Sequence, residues 1–240
     1  MVVSQSALSS DIGVKILDMG GNAVDAAVAV GFSLTTTLPR AGNLGGGGFM
    51  LIYLEKQKEL FSIDYRSRSS LNSNLKDLFG SKSPPQIQDD DYDLTKYGYK
   101  ASAVPGTVYG LLEAHEKFGK LSLEKVLKPV IEQAKSGIIV SYDLHNAIGS
   151  SDQLRKDPES RRIYFRNNLP IAIGSVMKRP DLARTFEAIS INGKKGFYDG
   201  WVSEKIESSM NDNDGFIDKN DLLQYTSKFR DPVGVNYRGY

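Results

Sequence analysis

Residues 23 to about 36 set the strongest constraint on what this chain can become. Ala23, Val24, Ala26, Ala27, Val28, Ala29 and Val30 are small and apolar on nearly every face of a helix. A helix without a polar face is buried, and short side chains let neighbouring backbones come close to it. Asn22 can cap its start, and Pro39 ends it. A chain of 240 residues, 40% apolar and 25% charged, has enough material to bury such a helix.

The helix runs into Ala41-Gly42-Asn43-Leu44-Gly45-Gly46-Gly47-Gly48 and then into an apolar stretch, Phe49 to Leu54. A polar turn, Glu55 to Glu59, and a second stretch, Leu60 to Tyr65, complete a hairpin signature. Upstream, Ser10-Asp11 as N-cap, Ile12, Ile16 and Met19 mark a helix closed by Gly20-Gly21. Residues 67–98 are rich in Ser, Asn, Lys, Asp and Pro, with Asp89-Asp90-Asp91 and Asp93. They read as a surface excursion within the single unit 1–240. Beyond Val104-Pro105-Gly106 the spacing predicts helices over 107–118, 122–136 with a kink at Pro129, about 141–154, Asp181–Ile191 and 201–210. Asp218 and Asp221 frame a short helix to Tyr225, and Phe229 to Tyr240 reads as extended. The expected class is mixed α/β.

Composition narrows the chemistry. Lys+Arg of 30 against Asp+Glu of 29 leaves a net charge of +1, which argues against a nucleic-acid partner. Zero Cys removes disulfides, thiolate metal sites and a Cys nucleophile. With His115 and His145 alone, a His-rich metal site is impossible, and Lys117-Phe118-Gly119 after His115-Glu116 breaks the H-E-x-x-H pattern. Both His are expected to be surface or satisfied structural residues. Asp212, Asp214, Gly215 and Asp221 fail the calcium-loop pattern at both ends. No metal or cofactor is therefore expected. No apolar run reaches the roughly 18 residues of a membrane span. Met1-Val2-Val3-Ser4 has neither the basic nor the apolar region of a signal peptide.

The glycines do not bind a nucleotide on this reading. No Lys or Ser/Thr follows Gly48, and the order is helix, glycines, strand rather than strand, glycines, helix. They predict a tight loop where another backbone passes closely, with at least one of Gly45 to Gly48 at positive φ. Asp64 and Arg66, two apart, share a face if the strand continues. Arg66 can present its planar fork to a carboxylate, or it can form an ordinary ion pair. There is no G-x-S-x-G elbow, and no self-sufficient catalytic set emerges from the residues alone.

Gly20-Gly21-Asn22-Ala23-Val24-Asp25-Ala26-Ala27, followed by Gly42-Asn43-Leu44-Gly45-Gly46-Gly47-Gly48-Phe49-Met50, resembles the gamma-glutamyltranspeptidase family. The likeness continues through Ile63-Asp64-Tyr65-Arg66, Ala101 to Thr107, Pro180 to Thr185, Gly196 to Gly200 and Tyr237-Arg238-Gly239-Tyr240. It implies an N-terminal nucleophile hydrolase, an αββα sandwich of four layers, of which this chain supplies part. In that family a precursor cuts itself, and a Thr freed at the new N-terminus attacks the γ-glutamyl amide with its own α-amine as base. The acyl group then passes to water or an amino acid. No Thr here begins the family's Thr-Thr-His, so the chain is expected to be the N-terminal portion of the large subunit, with no catalytic residue of its own.

Its expected partners are a small subunit or C-terminal segment carrying the nucleophilic Thr, and a γ-glutamyl small molecule such as glutathione. Its expected compartment is periplasmic or extracellular. The apolar helix and the hairpin need cover on both sides, which a second segment would supply. Arg66 matches the family's Arg that grips the α-carboxylate. The family's Glu and Ala-Pro are replaced here by Ser67-Arg68-Ser69, which removes an acid beside the Arg and adds a cation. The chain is expected to bend there, so that Arg68 points elsewhere. A poly-γ-glutamate enzyme or a cephalosporin acylase of the same fold, or a non-catalytic binding or structural module, would share this half of the sequence.

Overall fold

The computed structural model describes residues 1–74, 76 and 96–239. The first half of the chain forms α1 (Ala7–Asp18), α2 (Ala23–Thr37), β1 (Phe49–Leu54), β2 (Glu59–Asp64), α3 (Thr107–Phe118) and α4 (Leu123–Ser136). Then follow β3 (Ile138–Ile139), α5 (Tyr142–Gly149), α6 (Asp152–Lys156), α7 (Pro158–Tyr164), β4 (Phe165–Arg166), β5 (Leu169–Pro170) and β6 (Val176–Met177). The last elements are α8 (Pro180–Asn192), α9 (Lys195–Tyr198), α10 (Trp201–Asp212), α11 (Lys219–Leu223) and β7 (Lys228–Arg230). The acidic run Asp89 to Asp93 lies outside the described residues.

The apolar helix sits where its composition demands. Val28, Ala29 and Phe32 of α2 are fully buried, and α1, α3 and α4 pack around it. Asn22 caps α2 by accepting from Val24 N–H at 2.9 Å and Asp25 N–H at 3.0 Å. The Asp25 carboxylate accepts from Asn22 N–H at 2.9 Å, closing a capping box. Asp25 is also fully buried and accepts from Lys120 N–H at 3.0 Å and Leu121 N–H at 3.3 Å. The Asn22 side-chain amide donates to Phe118 O at 2.6 Å. One short motif therefore starts α2 and pins the α3–α4 turn onto it. His115 bonds Leu121 O at 2.9 Å in the same turn and His145 bonds Ile171 O at 2.8 Å, so both histidines are satisfied structural residues.

The N-cap of helix α1 is Ser6, four residues before the expected Ser10. Ser6 O already accepts from Ser9 and Ser10 N–H, and the buried Ser9 hydroxyl bonds Ser33 and Thr37 of α2 at 2.8 Å each. That tertiary anchor draws in an extra turn. The 141–154 helix is interrupted, because Ser151 caps a new start by accepting from Leu154 N–H. Residues 138–177 form a satellite lobe with its own core of Ile138, Val140, Leu144, Ile148, Phe165, Ile171 and Met177.

The main sheet has the order β1-β2-β7, with both pairings antiparallel. Met50, Ile52, Phe61 and Ile63 face the helices. Phe49, Leu51, Tyr53 and Leu60 alternate to the other face, where they remain 63%, 67%, 54% and 45% exposed. The need for cover over the hairpin thus shows as an open apolar sheet face.

Candidate substrate-binding site

Strand β2 ends at Asp64, and Tyr65 to Ser67 lead from it to an isolated bridge at Arg68. Three anchors hold this segment. Gly48 and Tyr65 exchange N–H···O bonds at 3.2 and 2.9 Å. Arg68 and Val104 exchange another pair at 3.2 and 2.7 Å. The Tyr225 hydroxyl donates to Arg66 O at 2.9 Å.

The glycine run is built for close approach. A Cβ on Gly47 would lie 2.5 Å from both Ser67 N and Tyr65 O, and one on Gly48 would lie 2.9 Å from the Tyr65 ring. Gly46 O accepts from Gly106 N–H at 2.7 Å and Thr107 N–H at 3.0 Å, which satisfies donors at the start of α3. The loop therefore clamps the Arg66 segment and the α3 N-terminus together. The expectation of a positive φ among Gly45 to Gly48 is overturned, since among the described residues the positive-φ glycines lie elsewhere, at Gly20, Gly98, Gly137, Gly174, Gly193, Gly200 and Gly239. The run has no left-handed turn to make. What it requires is the missing side chain.

Asp64, Arg66, Arg68, Thr226, Lys228 and Arg230 line a concavity of about 300 Å³ at the end of the open sheet face. Asp64 accepts from Arg66 N–H at 3.0 Å and from Arg230 Nε at 2.6 Å. These two contacts, the backbone one foremost, hold its carboxyl below the usual range. Asp64 thus pairs with Arg230, whereas the Arg66 guanidinium is exposed and makes no hydrogen bond or ion pair among the described residues.

Beneath the segment lies an aromatic support. Tyr225 stacks on Tyr198 with centroids 5.7 Å apart, and Tyr109 meets both rings edge-on. Tyr198 OH donates to Pro105 O at 2.8 Å and accepts from Tyr109 N–H at 3.1 Å. Burial pushes the Tyr225 phenol up to about 12, so it stays a donor to Arg66 O.

Arg68 departs from expectation. Arg68 does not point elsewhere: it lines the same concavity as Arg66. The reason is its side-chain anchorage: Nη2 donates to Thr226 O at 2.5 Å and contacts Thr226 Oγ1 at 3.3 Å, and the guanidinium lies 5.1 Å from the Tyr225 ring centroid. Tyr225, Thr226, Lys228 and Arg230 were not legible as site residues. The one local signal was the extended reading of Phe229 to Tyr240, which takes in Arg230. A larger groove of about 710 Å³ between α4 and α8 contains none of the motif residues.

Residues 9–240 match the gamma-glutamyltranspeptidase family. This chain belongs to that family. The glutathione hydrolase proenzyme of Escherichia coli (strain K12) is 38% identical over 242 residues, covering 100% of this chain and 41% of the relative. The crystal structure of Helicobacter pylori gamma-glutamyltranspeptidase superimposes with a TM-score of 0.93 at 38% identity, covering 100% of this chain and 68% of that one. A cephalosporin acylase from Bacillus halodurans shares the fold with a TM-score of 0.85 at 23% identity, over 97% of this chain and 43% of that one.

The architecture is that of the N-terminal nucleophile hydrolases of the gamma-glutamyltranspeptidase type, and the chain provides part of it. It spans about two fifths of the length of the curated relatives it matches. Among the described residues no helix is long and apolar enough to cross a membrane, and no cluster of acidic and His side chains forms a metal site.

Proposed function

We propose that this chain is the large-subunit portion of an enzyme that cleaves the γ-glutamyl amide of glutathione-like compounds and passes the acyl group to water or an amino acid. In this reading the nucleophilic Thr comes from a partner segment, which also covers the open face bearing Phe49, Leu51, Tyr53 and Leu60. An export compartment, periplasmic or extracellular, accompanies the reading.

The observation that carries it is Arg66. Its main chain is held rigidly by Tyr225 and its neighbours are held by Gly48 and Val104, while its head group remains uncommitted beside the open face. A guanidinium so placed can take both oxygens of an α-carboxylate, the group that distinguishes a γ-glutamyl amide from an ordinary amide. The chain's part in the chemistry is then to bind and orient the donor. With its one Asp64 carboxylate already paired, the concavity favours an anion.

The test is to express the chain alone and together with a nucleophile-bearing segment of the family. The chain alone is expected to leave a γ-glutamyl anilide intact, and the assembled protein to hydrolyse it. Hydrolysis by the chain alone, lost on replacing one of its own Ser or Thr, would overturn the assignment.

A further inference from the structure

Arg66 is not the only cation in the concavity. Arg66, Arg68, Lys228 and Arg230 stand against the single carboxylate of Asp64. That carboxylate is already engaged by Arg230 Nε and by Arg66 N–H. One monocarboxylate gripped by Arg66 would leave the excess of like charge unrelieved. Arg68 is the best prepared of the remaining cations. Its backbone is tied to Val104 in both directions, its Nη2 is fixed on Thr226, and its planar group rests over Tyr225.

A guanidinium has five N–H donors in a fixed fork, and Nη2 alone is used here. Among the described residues Nε and Nη1 of Arg68 have no hydrogen-bond partner, so one edge of the group is available to a ligand oxygen. Because the side chain is already immobilised, engaging a ligand costs little further rotamer freedom.

Resting on the function proposed above, we infer that Arg68 is a second carboxylate-binding residue of this site, and that the favoured acyl donors carry another carboxylate besides the α-carboxylate held by Arg66. Donors of this class include γ-glutamyl peptides with a free C-terminus and chains of γ-linked glutamate. A donor whose remaining part is neutral lacks the group that Arg68 reads.

The experiment compares glutathione with its C-terminal amide in the assembled enzyme, since the two differ in one charge. The wild type is expected to favour the acid by about fivefold in kcat/KM, the size of a charge-assisted hydrogen bond in a partly exposed site. Arg68→Gln should bring the ratio to about one. Arg68→Lys, which keeps the charge without the fork, should retain part of the preference, and added salt should lower it. Arg66→Lys should impair both donors and leave the ratio unchanged. The ratio does not depend on how much enzyme folds, so a merely structural Arg68 would lower both rates together. A wild-type ratio of one, or a preference that survives Arg68→Gln, overturns the inference while the proposed function stands. Failure of the wild type to turn over either donor overturns both.

Discussion

Replacing Gly47 by Ala tests the reading of the glycine run as a contact surface. The added Cβ would lie 2.5 Å from Ser67 N and Tyr65 O and 2.9 Å from Arg66 C. An ordinary contact begins near 3.4 Å, so these backbone atoms must retreat by up to 0.9 Å. The Gly48–Tyr65 and Arg68–Val104 bonds on either side restrain that retreat. Overpacking against backbone costs about 1–3 kcal/mol. At about 2–4 °C per kcal/mol for a chain of this size, Tm should fall by roughly 2–12 °C. A displacement of about 1 Å at a positioning residue can cost on the order of 100-fold in rate, so KM for a γ-glutamyl donor should rise as well. Gly45→Ala is the control. Its Cβ would meet only Asn43 Oδ1, at 3.5 Å, and its φ is not positive. There Ala should be neutral or stabilising by about 0.4–1 kcal/mol through the unfolded chain. Differential scanning calorimetry and donor kinetics on the two variants decide the matter. Equal melting temperatures would refute the close-approach argument.

Asp25→Ala removes the reciprocal half of the capping box and takes the acceptor from the Asn22, Lys120 and Leu121 N–H groups, so the unfolding free energy in urea should fall by about 2–4 kcal/mol, and a loss below about 0.5 kcal/mol would contradict the role given to the motif. Tyr225 has a folded-state pKa of about 12, above its unfolded value near 10, so its stabilising contribution is whole below about pH 10 and is lost as pH rises through about 12. In Tyr225→Phe the alkaline decline over that window should be shallower than in wild type while KM for the donor rises. An unchanged alkaline limb would show that the phenol is not held neutral against Arg66 O.

The elements that were legible are those whose determinants are local. Helix α2 was visible because every face of it is apolar, α4 because Ser122, its stripe and Gly137 bracket it, and the β1–β2 hairpin because its alternation and polar turn are contiguous. The motif around Asn22 and Asp25 was visible as a pattern, but its second use depends on Lys120 and Leu121, some 95 residues away. The same distance effect hid most of the site. Arg66 is legible through a resemblance, whereas Arg230 reaches Asp64 across 166 residues and Tyr225 reaches Arg66 across 159. Strand β7 has three residues, too few for a periodic signal. The satellite lobe at 138–177 was missed for the same reason, since its two strand pairs and short helices are held by packing rather than by propensity.

The central claim is that Arg66 reads the α-carboxylate of a γ-glutamyl donor, and one comparison tests it directly. Wild type and Arg66→Lys, each in the assembled enzyme, are assayed on a γ-glutamyl anilide and on the analogue that lacks the α-carboxylate. Lys keeps the charge but loses the two-pronged contact, and losing a charged hydrogen-bond partner in a desolvated site costs roughly 2–5 kcal/mol. The account predicts a KM raised by at least about tenfold for the anilide and changed by less than about twofold for the analogue, tenfold being about 1.4 kcal/mol. Equal losses on both substrates would contradict it and make Arg66 a structural residue of the segment.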